Sequence, residues 1–437
     1  MRVSCPAAFV STVFVALFCV FSSCAGQDDF DAAPILYSQT QPANRISQLQ
    51  QALQDGALSL QHQPGTGYLE SLLSALQIPV ESQCLVFSKT SLQLRRISPT
   101  TPRAIYFSDD LYVGYCVAGD VLEISAVDTR LGTVFYTLSQ QPPASGVPVF
   151  QRQTDNCLVC HSSSRTEGIP GHLVRSLMVD QSGQPLLAAG SRNVNHTTPL
   201  AERWGGWYVT GVHGAQKHLG NLVVDREESL DTIDNSSGLN QTSLSGRFRT
   251  EAYPSGHSDI VALMVLEHQV LVHNRIARAA FTVREALHYE SALNEALQNA
   301  PGTRLESTTR RIQSAADRLV EALLFCGEAA LTAPLSGTSG FAEKFQAAGL
   351  RDARGRSLRD PDLQTRMFRY PCSYLIHSQA FRELPAEMRD AVRTRLQSVL
   401  SGEDQSAKFS HLSAADREAI QEILLETEPG LLKSTGS

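Results

Sequence analysis

The spacing of apolar positions changes character twice along this chain. Before residue 80 it is helical. Ile46, Leu49 and Leu53 follow Asn44, a good helix N-cap, and the pattern stops at Gly56. Leu69, Leu72, Leu73 and Leu76 follow Thr66 and stop before Pro79. From Cys84 the runs become short, β-branched and aromatic, over 84–88, 104–107, 111–117, 121–127 and 133–138. Turn residues break them at Ser108-Asp109-Asp110, Ala118-Gly119-Asp120 and 128–132. The pattern predicts an antiparallel sheet of roughly five strands. Tyr106, Phe107, Tyr112, Tyr115, Phe135 and Tyr136 are its expected core and cross-strand pairs.

A second change follows Gln141-Pro142-Pro143-Ala144-Ser145-Gly146, the clearest linker. Beyond it lie short candidate strands at 173–179 and 186–189. Next comes a glycine-rich stretch holding both tryptophans, Glu202-Arg203-Trp204-Gly205-Gly206-Trp207-Tyr208. From Ser258 the period is helical again. One helix is predicted over 258–281, and a second opens at the capping box Thr282-Val283-Arg284-Glu285 and runs to about 299. Further helices are predicted at 312–331, 372–381, 387–400 (Gly402 as C-cap) and 413–426, giving an α bundle of roughly 180 residues. The fold class is therefore α+β. Its expected parts are a leader at 1–25, leader helices and an antiparallel sheet at 26–145, a central segment at 146–250 and a helical domain at 251–437.

Residues 1–25 read as an export signal. Arg2 precedes an apolar run over 7–21, and Ser23-Cys24-Ala25 supplies the small residues of a cleavage site. The run is too short to span a bilayer. Acylation at Cys24 is the competing reading, and Phe21 suits it poorly. A periplasmic or secreted protein beginning near Gly26 is expected. About 412 residues then remain, enough for two or three domains. The formal charge of −7 becomes one unit more negative, so neither a nucleic-acid nor an anionic-membrane partner is expected. No later stretch is apolar for long enough to form a transmembrane span.

The chemistry concentrates in Cys157-Leu158-Val159-Cys160-His161. Thiols at i and i+3 followed directly by histidine form the attachment signature of c-type haem. On one helical turn the two sulfurs reach the two vinyl groups, and His161 points a ring nitrogen at the iron. A thiol redox pair or half a zinc site are the alternatives, although no second C-x-x-C supplies the other half. Four cysteines are left, Cys84, Cys116, Cys326 and Cys372. An oxidising compartment allows up to two disulfides among them, with buried free thiols as the alternative.

This pentapeptide behind an export signal resembles the exported bacterial c-type cytochromes with one haem per chain. Phe87-Ser88-Lys89 and the Trp204 region are similar to those of large members with no assigned activity. The resemblance implies one covalent haem c, a cytochrome c-like segment within 146–250 and a distal iron ligand downstream of His161. Candidate ligands are Met178, His172, His196, His213, His218 and Met264. His213 and His218 stand out because they follow the tryptophans in a glycine-rich turn. Arg175, Arg192 and Arg203 are candidates for the propionates. Trp204 and its glycines are candidates for a lid against the porphyrin, with a buried aromatic corner as the alternative. His268 and His273 lie five apart on one helix, so their rings diverge and read as a hydrogen-bonded face. His257, Asp259 and Glu267 share that reading.

Two functions follow. One is a one-electron carrier, exchanging electrons with a redox partner protein or a small-molecule donor or acceptor. The other is a haem enzyme, peroxidase-like or another small-molecule oxidoreductase, with an open distal position. A sensor or scaffold is a third. The length of the chain favours more than a plain carrier, and the missing second motif disfavours a di-haem peroxidase.

Overall fold

The computed structural model describes residues 29–144, 146–225 and 234–432, so the expected export signal lies outside the described residues. The first helix, α1 (Arg45–Gln54), starts where Asn44 dictates. The Asn44 side chain accepts the N–H groups of Ile46 and Ser47, and the Ser47 hydroxyl accepts the Asn44 N–H in return. Helix α2 (Leu69–Ala75) buries Leu69, Leu72 and Leu73.

The sheet has six antiparallel strands in chain order, β1 (Cys84–Val86), β2 (Arg103–Phe107), β3 (Leu111–Tyr115), β4 (Val121–Asp128), β5 (Gly132–Ser139) and β6 (Phe150–Gln153). The sixth strand exceeds the expectation of five. Beyond the proline linker the chain returns to pair Gln153 with Phe135 and Phe150 with Leu138, covering an edge that the hydrophobic pattern leaves open. Register sorts the side chains into two rows. Tyr106, Val113, Ile124 and Tyr136 face the core shared with α1 and α2. Phe107, Tyr112, Ser125, Phe135 and Gln153 face the later chain. Strand β3 is buried throughout, which an antiparallel sheet permits only when both faces are covered.

The middle of the chain is mostly irregular. It holds the one-turn helix α3 (Leu158–His161) and a two-stranded ribbon, β7 (Arg175–Ser176) with β8 (Arg192–Asn193). The expected strand at 186–189 is a 3-10 turn instead. Buried side chains of this stretch join cores built elsewhere. Val174, Val194, Trp204 and Val209 pack with the helices, while Leu158, Ile169 and Val179 pack with the sheet.

Helix α4 (Ile260–Ala296) is continuous over 37 residues, where two helices were expected. The apparent capping box is spent along its surface. Arg278 donates to the Thr282 hydroxyl at 3.1 Å and pairs with Glu285 at 2.6 Å, and no residue there leaves helical geometry. The true start is Asp259, whose carboxylate accepts the N–H groups of Val261 and Ala262. Helices α5 (Glu306–Leu323), α6 (Phe341–Ala347), α7 (Gln379–Arg382), α8 (Ala386–Leu400) and α9 (Ala414–Thr427) complete the chain. The helix expected at 372–381 divides into a 3-10 turn (Tyr374–His377) and α7, because Ser378 is extended and caps the second piece. The fold is α+β, a sheet region followed by a helical region. No helix among the described residues is long and apolar enough to cross a membrane. All six cysteines of the described residues are free thiols, so neither disulfide forms.

Burial leaves an acid liability. Burial pulls His196, His218 and His273 from the usual 6.5 down to about 3. Each therefore contributes stability that is complete above pH 6.5 and lost as pH falls toward 3, because only the unfolded chain takes up the proton in that window. The unfolding free energy from urea titrations should decline steadily below pH 6.5, by about 1.4 kcal/mol per pH unit for each such histidine, and the urea midpoint should fall with it. A midpoint that is flat between pH 7 and pH 5 would contradict this burial.

Candidate functional site

Helix α3 is built from main-chain bonds that the local sequence can make unaided. Asp155 offers its carbonyl to the N–H of Leu158 at 3.0 Å, and Cys157 offers its own to His161 at 3.0 Å. One turn then carries Cys157, Cys160 and His161 on one side. Cys157 is half-buried and Cys160 exposed. Burial pushes the Cys157 thiol up to about 11, so it is protonated at neutral pH, unlike the nucleophilic cysteine of a redox pair. Among the described residues no group of three or more metal-binding side chains gathers, here or elsewhere.

The state of His161 follows from its partner. Its Nδ1 lies 2.9 Å from the Gly171 carbonyl, which can only accept, so the proton sits on Nδ1 and Nε2 keeps its lone pair. The Gly171 N–H returns a bond to the His161 carbonyl at 2.8 Å, closing a two-point clamp. Burial lowers the ring's pKa, keeping it neutral. This donor set fits a c-type haem. A ligating histidine needs a neutral ring, a free lone pair and a second nitrogen held by an outer acceptor. Among the described residues no other histidine donates through Nδ1 in a hydrogen bond to a main-chain carbonyl.

Gly171 is held in turn by α4. Asn274 accepts the His172 N–H and donates to the His172 carbonyl, both at 2.9 Å. A Cβ on Gly171 would lie 2.5 Å from the Asn274 Oδ1, so only glycine fits. On the sheet side Phe135 packs against the His161 ring at 4.7 Å between centroids. The Arg103–Glu123 ion pair, at 2.6 Å, is close enough to influence both His161 and Cys157. Gly171, Asn274, Phe135, Arg103 and Glu123 escape the sequence reading, whose one available signal was Pro170-Gly171 just beyond the motif.

The other expected site residues lie apart from this turn. His213 and His218 pack on each other at 4.8 Å, and His218 packs on Trp204. His213 Nε2 accepts the Asn240 N–H and His218 Nδ1 accepts the Gly220 N–H, both at 3.0 Å. His213 therefore carries its proton on Nδ1 with the Nε2 lone pair already used, and His218 carries its proton on Nε2 with the Nδ1 lone pair already used, so neither ring offers a free lone pair to iron. Neither has a hydrogen bond or ring contact with His161 among the described residues. His172 bonds Ser125 and Thr133 through its two nitrogens, and His196 bonds His268. Met264 is buried within α4 and Met178 is half-buried.

Arg203 and Trp204 meet Glu267 on α4. Arg203 pairs with its carboxylate at 2.9 Å in nearly complete burial and also donates to the carbonyls of Thr198 and His196. The Trp204 indole N–H donates to the other carboxylate oxygen. Gly205 brings its backbone against that of Leu177, and a Cβ there would lie 2.9 Å from the Leu177 carbonyl oxygen. The tryptophan region is thus the buried aromatic corner. Arg192 forms a surface pair with Glu202. Of the three arginines named for propionates, Arg175 alone is near the thiols, close enough to influence Cys160 and Arg165.

A row of rings leads away from His161 along the sheet. Phe135 is 6.3 Å from His172, His172 is 4.1 Å from Tyr112, and Tyr112 is 6.1 Å from His273. His273 lines a cleft of about 670 Å³ between the sheet, α4 and α6.

Removing the buried carboxylate should be costly and local. Glu267→Ala strands Arg203 in the core and should destabilise the chain by about 3–5 kcal/mol in urea unfolding, while leaving Cys157 and Cys160 as accessible to alkylation as before. A loss below about 1 kcal/mol would show that the pair contributes little. Comparison with protein-family models, curated proteins and solved structures returns no match.

Proposed function

We propose that Cys157 and Cys160 attach one haem c, that His161 is its proximal ligand, and that the protein transfers single electrons outside the cytoplasm. The partner is a redox protein or a small-molecule donor or acceptor. One observation carries the reading: the Gly171 carbonyl holds His161 in the neutral tautomer with Nε2 free, on the turn that bears both thiols. When bound, the haem supplies a ferric–ferrous couple. The chain's own residues do the rest. Phe135 packs against the ligating ring, and Asn274 fixes the peptide on which the tautomer depends. Arg103 is close enough to influence His161, and Arg175 to influence Cys160, and a guanidinium suits a propionate. His213 and His218, first choices for the distal position on sequence grounds, are used by backbone amides, so the proposal takes no distal ligand from them.

The haem-enzyme reading has one observation in its favour, the row of rings from His161 to the wall of a cleft large enough for a small substrate. A carrier has no use for such a cleft.

The test is covalent haem retention. After expression with a c-type maturation system, the parent should stain for haem on a denaturing gel. Cys157→Ala or Cys160→Ala should retain one thioether at best, and the double variant should lose the stain. Undiminished staining in the double variant overturns the attachment. Carbon monoxide binding by the reduced protein would place the enzyme reading ahead of the carrier, and an unchanged spectrum would favour the carrier.

A further inference from the structure

The cleft beside His273 has a chemistry of its own, which the attachment motif does not explain. Its apolar wall is made by Phe107, Phe341 and Phe345. Its polar end can be resolved to individual protons. Gln269 donates through Nε2 to the Ser108 carbonyl at 2.7 Å and to the Tyr112 hydroxyl at 2.9 Å. A carbonyl only accepts, so the amide orientation is fixed, and Gln269 Oε1 accepts the Tyr374 hydroxyl at 2.6 Å. The Tyr112 oxygen, already receiving a proton, gives its own to His273 Nδ1 at 2.9 Å. The His273 proton must then sit on Nε2. That nitrogen is buried and has no hydrogen-bond partner. The Asp109 carbonyl favours the protonated ring without meeting hydrogen-bond geometry. A donor left in this state is destabilising until something accepts from it.

Arg359 completes the polar end. Its guanidinium carbon lies over two rings, 4.7 Å from the centre of Phe345 and 4.6 Å from that of Tyr374. Among the described residues its only side-chain partner is Asp109, through Nη2, which leaves further N–H groups of the fork for a second carboxylate. The cleft is close to neutral as a whole, since Asp109 is matched by Arg359, Asp110 by Arg45, and Lys344 by Glu81. Selectivity therefore has to come from placed donors rather than from an excess of charge.

We infer that this cleft binds a small carboxylate on a flat apolar body, the ring against Phe107, Phe341 and Phe345 and the carboxylate between Arg359 and the His273 Nε2–H. The inference stands on the cleft alone, whether or not haem is attached.

Benzoate is the probe, with benzamide as its uncharged counterpart, titrated into the full chain by calorimetry. Benzoate should bind with a Kd of about 1 mM or tighter, and benzamide at least about tenfold more weakly. His273→Phe and Arg359→Met should each weaken benzoate by about tenfold. Should either variant fail to fold, Ala348→Trp decides the matter. Ala348 is exposed on the wall and supplies no donor, so the bulky ring should block the cleft while thermal stability is unchanged. The Cys157→Ala/Cys160→Ala double variant should bind benzoate like the parent, which separates this inference from the haem reading. No saturable binding by the parent, equal affinity for benzamide, or benzoate affinity unaffected by Ala348→Trp would each overturn it.

Discussion

The structure depends on how α4 satisfies the polar groups it buries. Glu267 and Asn274 lie two turns apart on one face of this helix, about 10 Å along its axis, and both are buried. A buried carboxylate without a partner is among the most destabilising groups a core can contain, and an unpaired amide also costs several hydrogen bonds' worth of desolvation. Both demands are met from the same irregular stretch of chain. Arg203 and Trp204 answer the carboxylate, and the main chain of His172 answers the amide. Fixed at these two points, a segment with hardly any secondary structure becomes as well placed as a helix. The Gly171 carbonyl inherits that placement and passes it to His161. The tautomer of a ring on α3 is thus set from a helix more than a hundred residues away in sequence.

Much of the frame was legible in the sequence because its signals are local. Asn44 and Ser413 cap helices where their spacing predicts, and the strand runs and their turns fall as the alternation indicates. The failures share one cause. Thr282 and Glu285 have the spacing of a capping box, but Arg278 from the same helix engages both, so the helix runs on. Strand β6 looks like linker because its pairing with β5 lies across a loop. Glycines beside tryptophans were expected to approach something flat. What Gly205 approaches is the backbone of Leu177, a contact that no spacing rule encodes.

The Cys157–His161 pentapeptide stands out in the sequence, and the residues around it in the fold do not. Two thiols and a histidine within five residues are recognised from spacing alone. The supporting groups are chosen by the tertiary fold. Phe135 comes from a strand, Asn274 from α4 and Arg103 from another strand, and nothing in their local sequence sets them apart. Proximity along the chain favoured His213 and His218. The hydrogen bonds they accept from Asn240 and Gly220 instead make them turn-stabilising residues, whose rings fill space beside Trp204. A histidine is informative only when its proton can be located, and locating it requires the partner.

The same proton accounting links the two ends of the sheet. Phe107, Tyr112, Ser125 and Phe135 form one row across β2 to β5. His161 rests on the Phe135 end, and the cleft opens at the Phe107 end. Between them His172 is held by hydroxyls on both nitrogens, and burial keeps its pKa well below the usual value, so it is a neutral and fixed ring at any moderate pH. Tyr112 and His273 differ from it in one respect. Tyr112, fixed as a donor by the Gln269 amide, gives its proton to a ring whose outer nitrogen meets no acceptor in hydrogen-bond geometry. The row is therefore saturated at His172 in its middle and one hydrogen bond short at the cleft end. A phenylalanine at position 273 would fill similar space without a stranded donor. The histidine at that position, its proton directed by Tyr112 and Gln269, gives the cleft end of the row its polar character.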